Sequence, residues 1–316
     1  VRRLSAALAI VALAVGTLSS APAIGATAAE GDLAERVDID DGRHMYLECQ
    51  GVGSPLVLLI SGLDASADLW HRPELPEPTV YNEVAKVTRV CAYDRPGTPI
   101  GDGDPSRSDP VPMPITTRDS ADDLEALIEA ADIPRPFVIA GHSYGGLITR
   151  LYAGQHPDDV SGIVLIDVLT PELQDEMTAE EWEIWKVMNA RLEEDIAVYP
   201  DLERAEYQPS VDVVRDAPAL EPMPFIVMTA DALFADSVRE GVRAGNFPPG
   251  TPEDFGAVID VSHEAAQRTL AASVPGSRHI TETNSGHNMM IDQPVLVTDA
   301  ILDVVAAVRE GRSTID

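Results

Sequence analysis

Residues 136–146 read Pro-Phe-Val-Ile-Ala-Gly-His-Ser-Tyr-Gly-Gly, an apolar run that stops in a cluster of small residues. Phe137, Val138, Ile139 and Ala140 form a short, apolar, partly β-branched segment, the composition of a buried strand. Beyond it, Leu147, Ile148, Leu151 and Tyr152 recur at helical spacing. The small residues therefore mark a sharp strand-to-helix turn with Ser143 at its tip. A side chain at Gly141 or Gly145 would clash in so tight a bend. Such a turn presents the serine hydroxyl outward and aims the next backbone N–H, that of Tyr144, at a developing oxyanion. Gly-x-Ser-x-Gly arises by chance about 0.1 times in a chain of this length, so the strand before it and the helix after it carry much of the signal.

Working outward, the same rhythm repeats. Pro55–Ile60 is a continuous apolar run ending at Ser61-Gly62-Leu63, and Arg89–Tyr93 is another, ending at Asp94-Arg95-Pro96-Gly97. A polar, proline-rich loop covers roughly 97–115. Ser120–Ala131 then carries Leu124, Leu127 and Ile128 at helical spacing. Gly162–Asp167, Phe225–Thr229 and Arg278–Thr283 are further strands, and Val295 to Val305 form a closing amphipathic helix. Val37–Ile39 and His44–Cys49 flank Asp40-Asp41-Gly42-Arg43, a hairpin pattern. Alternating buried strands and helices predict an α/β protein with a mostly parallel sheet covered on both faces. Residues 168–222 interrupt the rhythm. They are acidic, read as helices and contain Met177, Trp182, Trp185 and Met188. They are either a cap over a pocket or a helical excursion packed on the sheet.

The 316 residues are 45% hydrophobic, enough for a sizeable core. The formal net charge is −31, from 53 acidic and 22 basic side chains, which argues against nucleic acid and anionic membranes as partners. Arg2 and Arg3, the apolar stretch Leu4 to Leu18 and the small residues Ala26-Thr27-Ala28 make residues 1–28 an expected signal peptide, too short in its apolar part to span a bilayer. The mature chain would start at Ala29 and be secreted, without stable membrane insertion after the signal is removed; the paired arginines also fit twin-arginine export. In that setting two cysteines matter. Cys49 and Cys91 both lie in predicted strands. If bonded they close a loop of about 42 residues and stabilise by roughly 4 kcal/mol; otherwise they are two buried thiols.

A serine nucleophile needs a base, and the base an orienting acid. Of the seven histidines, His287 stands out: it follows the late strand through Asn284-Ser285-Gly286 and precedes a helix. From there it can reach back across the carboxyl ends of the strands. His142 reads as structural, turned into the sheet. His44, His71, His156, His263 and His279 have no matching context and read as surface or core residues. There is no metal-ligand spacing and no Gly-x-Gly-x-x-Gly stretch before a helix, so neither a metal nor a cofactor is expected.

Over about residues 36–310 the chain resembles the α/β-hydrolase superfamily, in its secreted lipase, esterase and peptidase-like branch. The resemblance rests on Cys49-Gln50-Gly51-Val52-Gly53-Ser54-Pro55, on Ser61-Gly62-Leu63, on Tyr93-Asp94-Arg95-Pro96-Gly97, on the Ser143 turn, and on Ser285-Gly286-His287 followed by Asp292 and Pro294. It implies an α/β-hydrolase domain over 29–316 with a helical cap at about 168–222. It implies that the strands of Cys49 and Cys91 are neighbours, which favours the disulfide, and that Asp94 and Arg95 brace loops. It implies a second oxyanion donor, the backbone N–H of Leu63, although many relatives have His-Gly where this chain has Ser61-Gly62. The family order of serine, acid, histidine is available here. Asp167 ends one strand and Asp231 follows another, and relatives use either place; Asp236 is a further carboxylate. At Asp231 the usual glycine three residues before the acid is missing. The resemblance implies a small-molecule ester substrate, cleaved through an acyl-enzyme. Its rivals are a peptidase or amidase, a cofactor-free perhydrolase, and a non-catalytic binding module. Dehalogenases and epoxide hydrolases of this fold use a carboxylate nucleophile, and Ser143 argues against both.

Overall fold

Short runs of Val, Ile, Leu and Phe with no charged residue build the centre of the molecule. The computed structural model describes residues 31–315 apart from 41, 73, 75, 76 and 101–105; the expected signal peptide, 1–28, lies outside them. Eight strands form one sheet: β1 (Leu33–Asp40), β2 (Arg43–Gln50), β3 (Val57–Ile60), β4 (Val90–Tyr93), β5 (Phe137–His142), β6 (Val160–Ile166), β7 (Phe225–Met228) and β8 (Arg278–Ile280). Their order is β1-β2-β4-β3-β5-β6-β7-β8. β1 and β2 form the predicted hairpin, β2 pairs antiparallel with β4, and every later pairing is parallel.

The helices are α1 (Val80–Ala85), α2 (Thr117–Ala130), α3 (Gly145–Gln155), α4 (Pro171–Asp175), α5 (Ala179–Met188), α6 (Glu193–Val198), α7 (Tyr207–Arg215), α8 (Phe234–Ala244), α9 (Phe255–Ala272), α10 (Met289–Asp292) and α11 (Pro294–Arg309). Alternate residues of each buried strand point to opposite faces. Leu58, Ile60, Phe137, Ile139, Ile163 and Leu165 share one apolar cluster with residues of α2, α3 and α9. Val57, Leu59, Val138, Ala140, Val164 and Ile166 share the other with α1 and α11. Each such Val, Leu, Ile or Phe side chain removed from water contributes about 1.5–3 kcal/mol. Thr116 and Asp119 cap α2 reciprocally, as Thr178 and Glu181 cap α5.

Cys49 and Cys91 are direct partners in the β2–β4 register and are joined by a disulfide. The segment 168–222 contains α4 to α7; Trp182 and Trp185 stack within α5, with ring centroids 4.8 Å apart. Two features differ from expectation. β8 stops at Ile280, because this edge strand turns away into the loop that carries His287. Residues 234–272, for which no element was predicted, form α8 and α9. The buried stripe of α9 is Phe255, Ile259, His263, Ala266 and Leu270, and its polar and small members conceal the helical period. No helix among the described residues is long and apolar enough to cross a membrane.

Candidate active site

Parallel strands end on the same edge of the sheet, and the loops leaving β3, β5, β6, β7 and β8 converge there. Backbone strain collects at this edge. Five described non-glycine residues have positive φ, and four of them, Asp64, Ser143, Asp167 and Asn284, belong to these loops.

Ser143 has φ 51°. Its N–H donates to Ile166 O at 3.2 Å, and its carbonyl accepts from Leu169 N at 2.9 Å and Gly146 N at 3.0 Å. A Cβ on Gly145 would stand 2.6 Å from the carbonyl oxygen of Ile60, so the turn closes only with glycine there. α3 starts immediately after Tyr144, whose N–H is among the first-turn donors that no helical carbonyl can reach. The loop after β3 lies against the serine: a Cβ on Gly62 would be 2.9 Å from Ser143 Cβ. The carbonyls of Ser61 and Gly62 accept from the Arg95 guanidinium. This holds the Ser61-Gly62 backbone, which leads into Leu63, against Ser143.

His287 Nε2 is 2.9 Å from Ser143 Oγ, and its Nδ1 is 2.6 Å from Asp167 Oδ2. Asp167 follows β6 directly, has φ 47° and is fully buried. Its other oxygen, Oδ1, accepts from Ala230 N at 2.9 Å and from His263 Nε2 at 2.8 Å. Burial alone would push this carboxyl up. The facing His263 and His287 outweigh that and hold it well below the usual carboxylate range.

Asp231, the other acid weighed from the sequence, does not face the His287 ring. Its carboxylate accepts from Asn284 N at 2.8 Å and Ser285 N at 2.9 Å, and its own N–H donates to Ser285 O. Those backbone bonds lower its pKa. Asp231 therefore fastens the loop that presents His287. Asp292 does the same from the other side, accepting from Gly286 N at 3.0 Å. Asp236 pairs with Arg239 within α8.

Two histidines depart from their sequence reading. His142 is buried, but its Nε2 donates to the His287 carbonyl at 2.9 Å and its ring lies 4.6 Å from that of His287. It supports the His287 loop rather than the sheet interior. Desolvation, then the neighbouring His287, pulls it down to about 3. His263, which has no matching context in the sequence, contacts Asp167 directly from α9. Its signal, a histidine on the buried stripe of a helix, became legible only once the helix was seen. Glu125, His156 and Asp159 bring ligand-type atoms within 4.8 Å of one another, but Tyr152 donates to Glu125 and Asp159, and Arg135 pairs with both.

Comparison with known proteins agrees with this architecture. A family model described as the alpha/beta hydrolase family matches residues 57–300. A probable transporter of Hormonema carpetanum is 30% identical over 157 residues, covering 48% of this chain and 21% of that protein. A haloalkane dehalogenase of Sphingobium indicum is 30% identical over 134 residues, covering 42% of this chain and 41% of that protein. The chain thus spans less than half the length of these relatives. The solved structure of a thermophilic esterase from Thermogutta terrifontis superposes with a TM-score of 0.54 at 18% identity, covering 87% of this chain and 99% of that one, a likeness of fold.

Proposed function

The chain belongs to the alpha/beta hydrolase family, and within it we propose that it is a secreted serine hydrolase that cleaves carboxylic esters. One observation carries this reading: His287 bridges Ser143 Oγ at 2.9 Å and Asp167 Oδ2 at 2.6 Å. The Asp167 carboxylate fixes the His287 tautomer with hydrogen on Nδ1, leaving the Nε2 lone pair facing the serine hydroxyl. Ser143 Oγ attacks the ester carbonyl carbon as its proton passes to Nε2. The tetrahedral oxyanion is received by the Tyr144 and Leu63 amides. Collapse expels the alcohol, which takes the proton from His287. Water, deprotonated by the same imidazole, then attacks the acyl carbon; collapse breaks its bond to Ser143 Oγ, which takes back the proton from His287 as the acid leaves.

The relative that dehalogenates is named for chemistry that uses a carboxylate nucleophile in this fold; here the turn carries serine, which supports acyl transfer. The disulfide between Cys49 and Cys91 supports export into an oxidising compartment.

Hydrolysis of p-nitrophenyl acetate and butyrate, with labelling by a fluorophosphonate, tests the reading. The protein should turn over at least one ester and label at Ser143, and a folded Ser143→Ala variant should do neither. Label on another residue, or turnover surviving in that variant, would mean that the nucleophile lies elsewhere.

A further inference from the structure

Asp167 serves two histidines, and only one of them faces the serine. His287 takes Oδ2, whereas His263 takes Oδ1 from the opposite side of the carboxylate, at 2.8 Å. His263 is 9% exposed. It borders a cavity of about 390 Å³ lined by 229–234, Asp260, Glu264, Arg268, His279 and Thr281, with neither Ser143 nor His287 in its wall. Phe234 lies edge-on to the His263 ring and tilted against that of His287, so one apolar ring touches both imidazoles.

We infer that His263 is a positioning residue for the relay: from its own side of the carboxylate it fixes Asp167 through Oδ1 and so shapes the orientation and field that Asp167 presents to His287. The inference rests on the proposed roles of Ser143, His287 and Asp167. Asp167 Oδ1 has only two protein donors among the described contacts, the Ala230 amide and His263. Loss of the histidine leaves a buried carboxylate oxygen with one.

The charge acts in a definite direction. The groups facing His263 are Asp167 from the end of β6, Asp260 one turn back on α9, and, around the cavity, Asp231, Glu264, Arg268 and His279. Burial opposes its positive charge, but Asp167 and then Asp260 raise its proton affinity above the ordinary imidazole value. In its protonated form the imidazolium offsets part of the Asp167 charge felt by His287. When His263 loses its titrating proton, from Nδ1, its Nε2–H still donates to Asp167. Position is kept while charge is lost.

Two substitutions separate these effects. His263→Gln retains a donor with the reach of Nε2 but no charge; His263→Phe fills the ring volume with neither. The ring titration of His287 followed by NMR in the full protein needs no substrate. The pH profile of ester hydrolysis or fluorophosphonate capture reports the working relay. In both variants, which lack the imidazolium, the acid limb of the profile and the NMR curve with it should move to higher pH. The Phe variant should lose more of the plateau rate than the Gln variant, by about tenfold. Titrations coincident with the parent in both variants overturn the inference even if the plateau falls, because a purely structural role lowers the plateau without moving the limb. Should neither variant fold, the parent decides: the His287 titration must show an inflection where His263 titrates, and a single-proton curve overturns the idea. A parent that neither hydrolyses esters nor captures the phosphonate refutes the proposed function instead, while the NMR titration still tests the coupling.

Discussion

Arg95 and Glu203 form a fully buried ion pair that ties the loop after β4 to the helical segment between β6 and β7. The Arg95 Nε donates to Glu203 Oε1 at 2.6 Å, while its two other nitrogens reach the carbonyls of Ser61 and Gly62. Glu203 Oε2 in turn accepts from Asp64 N at 2.7 Å. The two side chains thus clamp both flanks of Leu63, one of the two amides assigned to the oxyanion.

Breaking this pair from one side leaves an uncompensated charge at a fully buried position. Arg95→Met should cost about 3–5 kcal/mol of stability. It should also reduce kcat more than it raises KM, because the freed loop no longer aims the Leu63 amide. Urea unfolding and ester kinetics check both, and the double variant Arg95→Met/Glu203→Leu should recover much of the stability. A single variant as stable as the parent would show that the pair contributes nothing net.

Asp167 and Asp231 should separate cleanly in mutation. Asp167→Asn offers His287 an amide where it needs an acceptor and favours the wrong tautomer, so kcat should fall about 10³–10⁴-fold with the fold retained. Asp231→Asn keeps one acceptor for the Asn284 and Ser285 amides, so kcat should fall less than tenfold while the melting temperature drops. Matched losses in the two variants would contradict the different roles given to these carboxylates.

The disulfide closes a loop spanning β2 to β4. Reduction, or a Cys49→Ala/Cys91→Ala double variant, should lower the unfolding free energy by about 2–4 kcal/mol. The effect arises largely in the unfolded chain, so the kcat of the folded protein should barely change. Urea curves with and without reductant, read beside ester turnover, test that split.

The turn around Ser143 was legible because its strand, its glycines and its helix all obey local rules. The same holds for β3, β4 and β6, whose runs are continuous and apolar. His287 was legible from its place after the last strand. Which acid serves it was open from spacing alone, since Asp167 and Asp231 leave neighbouring parallel strands at the same edge. Only the direction of the side chains distinguishes them, one turned inward under the His287 ring and one turned onto the backbone at 284–285. His263 was illegible for a related reason. It comes to Asp167 from 96 residues away in sequence, on a helix whose inward stripe mixes Phe, Ile and Leu with His, Gln and Ala. His142 sits beside the serine in sequence, yet its bond to the His287 carbonyl depends on a loop 145 residues on.

His142 and His263 should tilt the pH dependence of stability in opposite directions. The His142 proton affinity falls on folding, to about 3, chiefly through desolvation. The unfolded chain therefore binds a proton here that the folded one refuses, and stability is lost as pH falls below about 6.5 towards 3, on the order of 4 kcal/mol over that window. For His263 the affinity rises on folding, so its contribution is full below about 6.5 and disappears as pH climbs through the folded value. His142→Gln keeps a donor for the His287 carbonyl but cannot titrate, and should flatten the acid side of the stability curve. His263→Gln should flatten the neutral-to-alkaline side. Unfolding free energies measured from pH 4 to 9 test both, and a His142→Gln curve parallel to the parent below pH 6 would mean that this histidine takes up its proton within the folded protein.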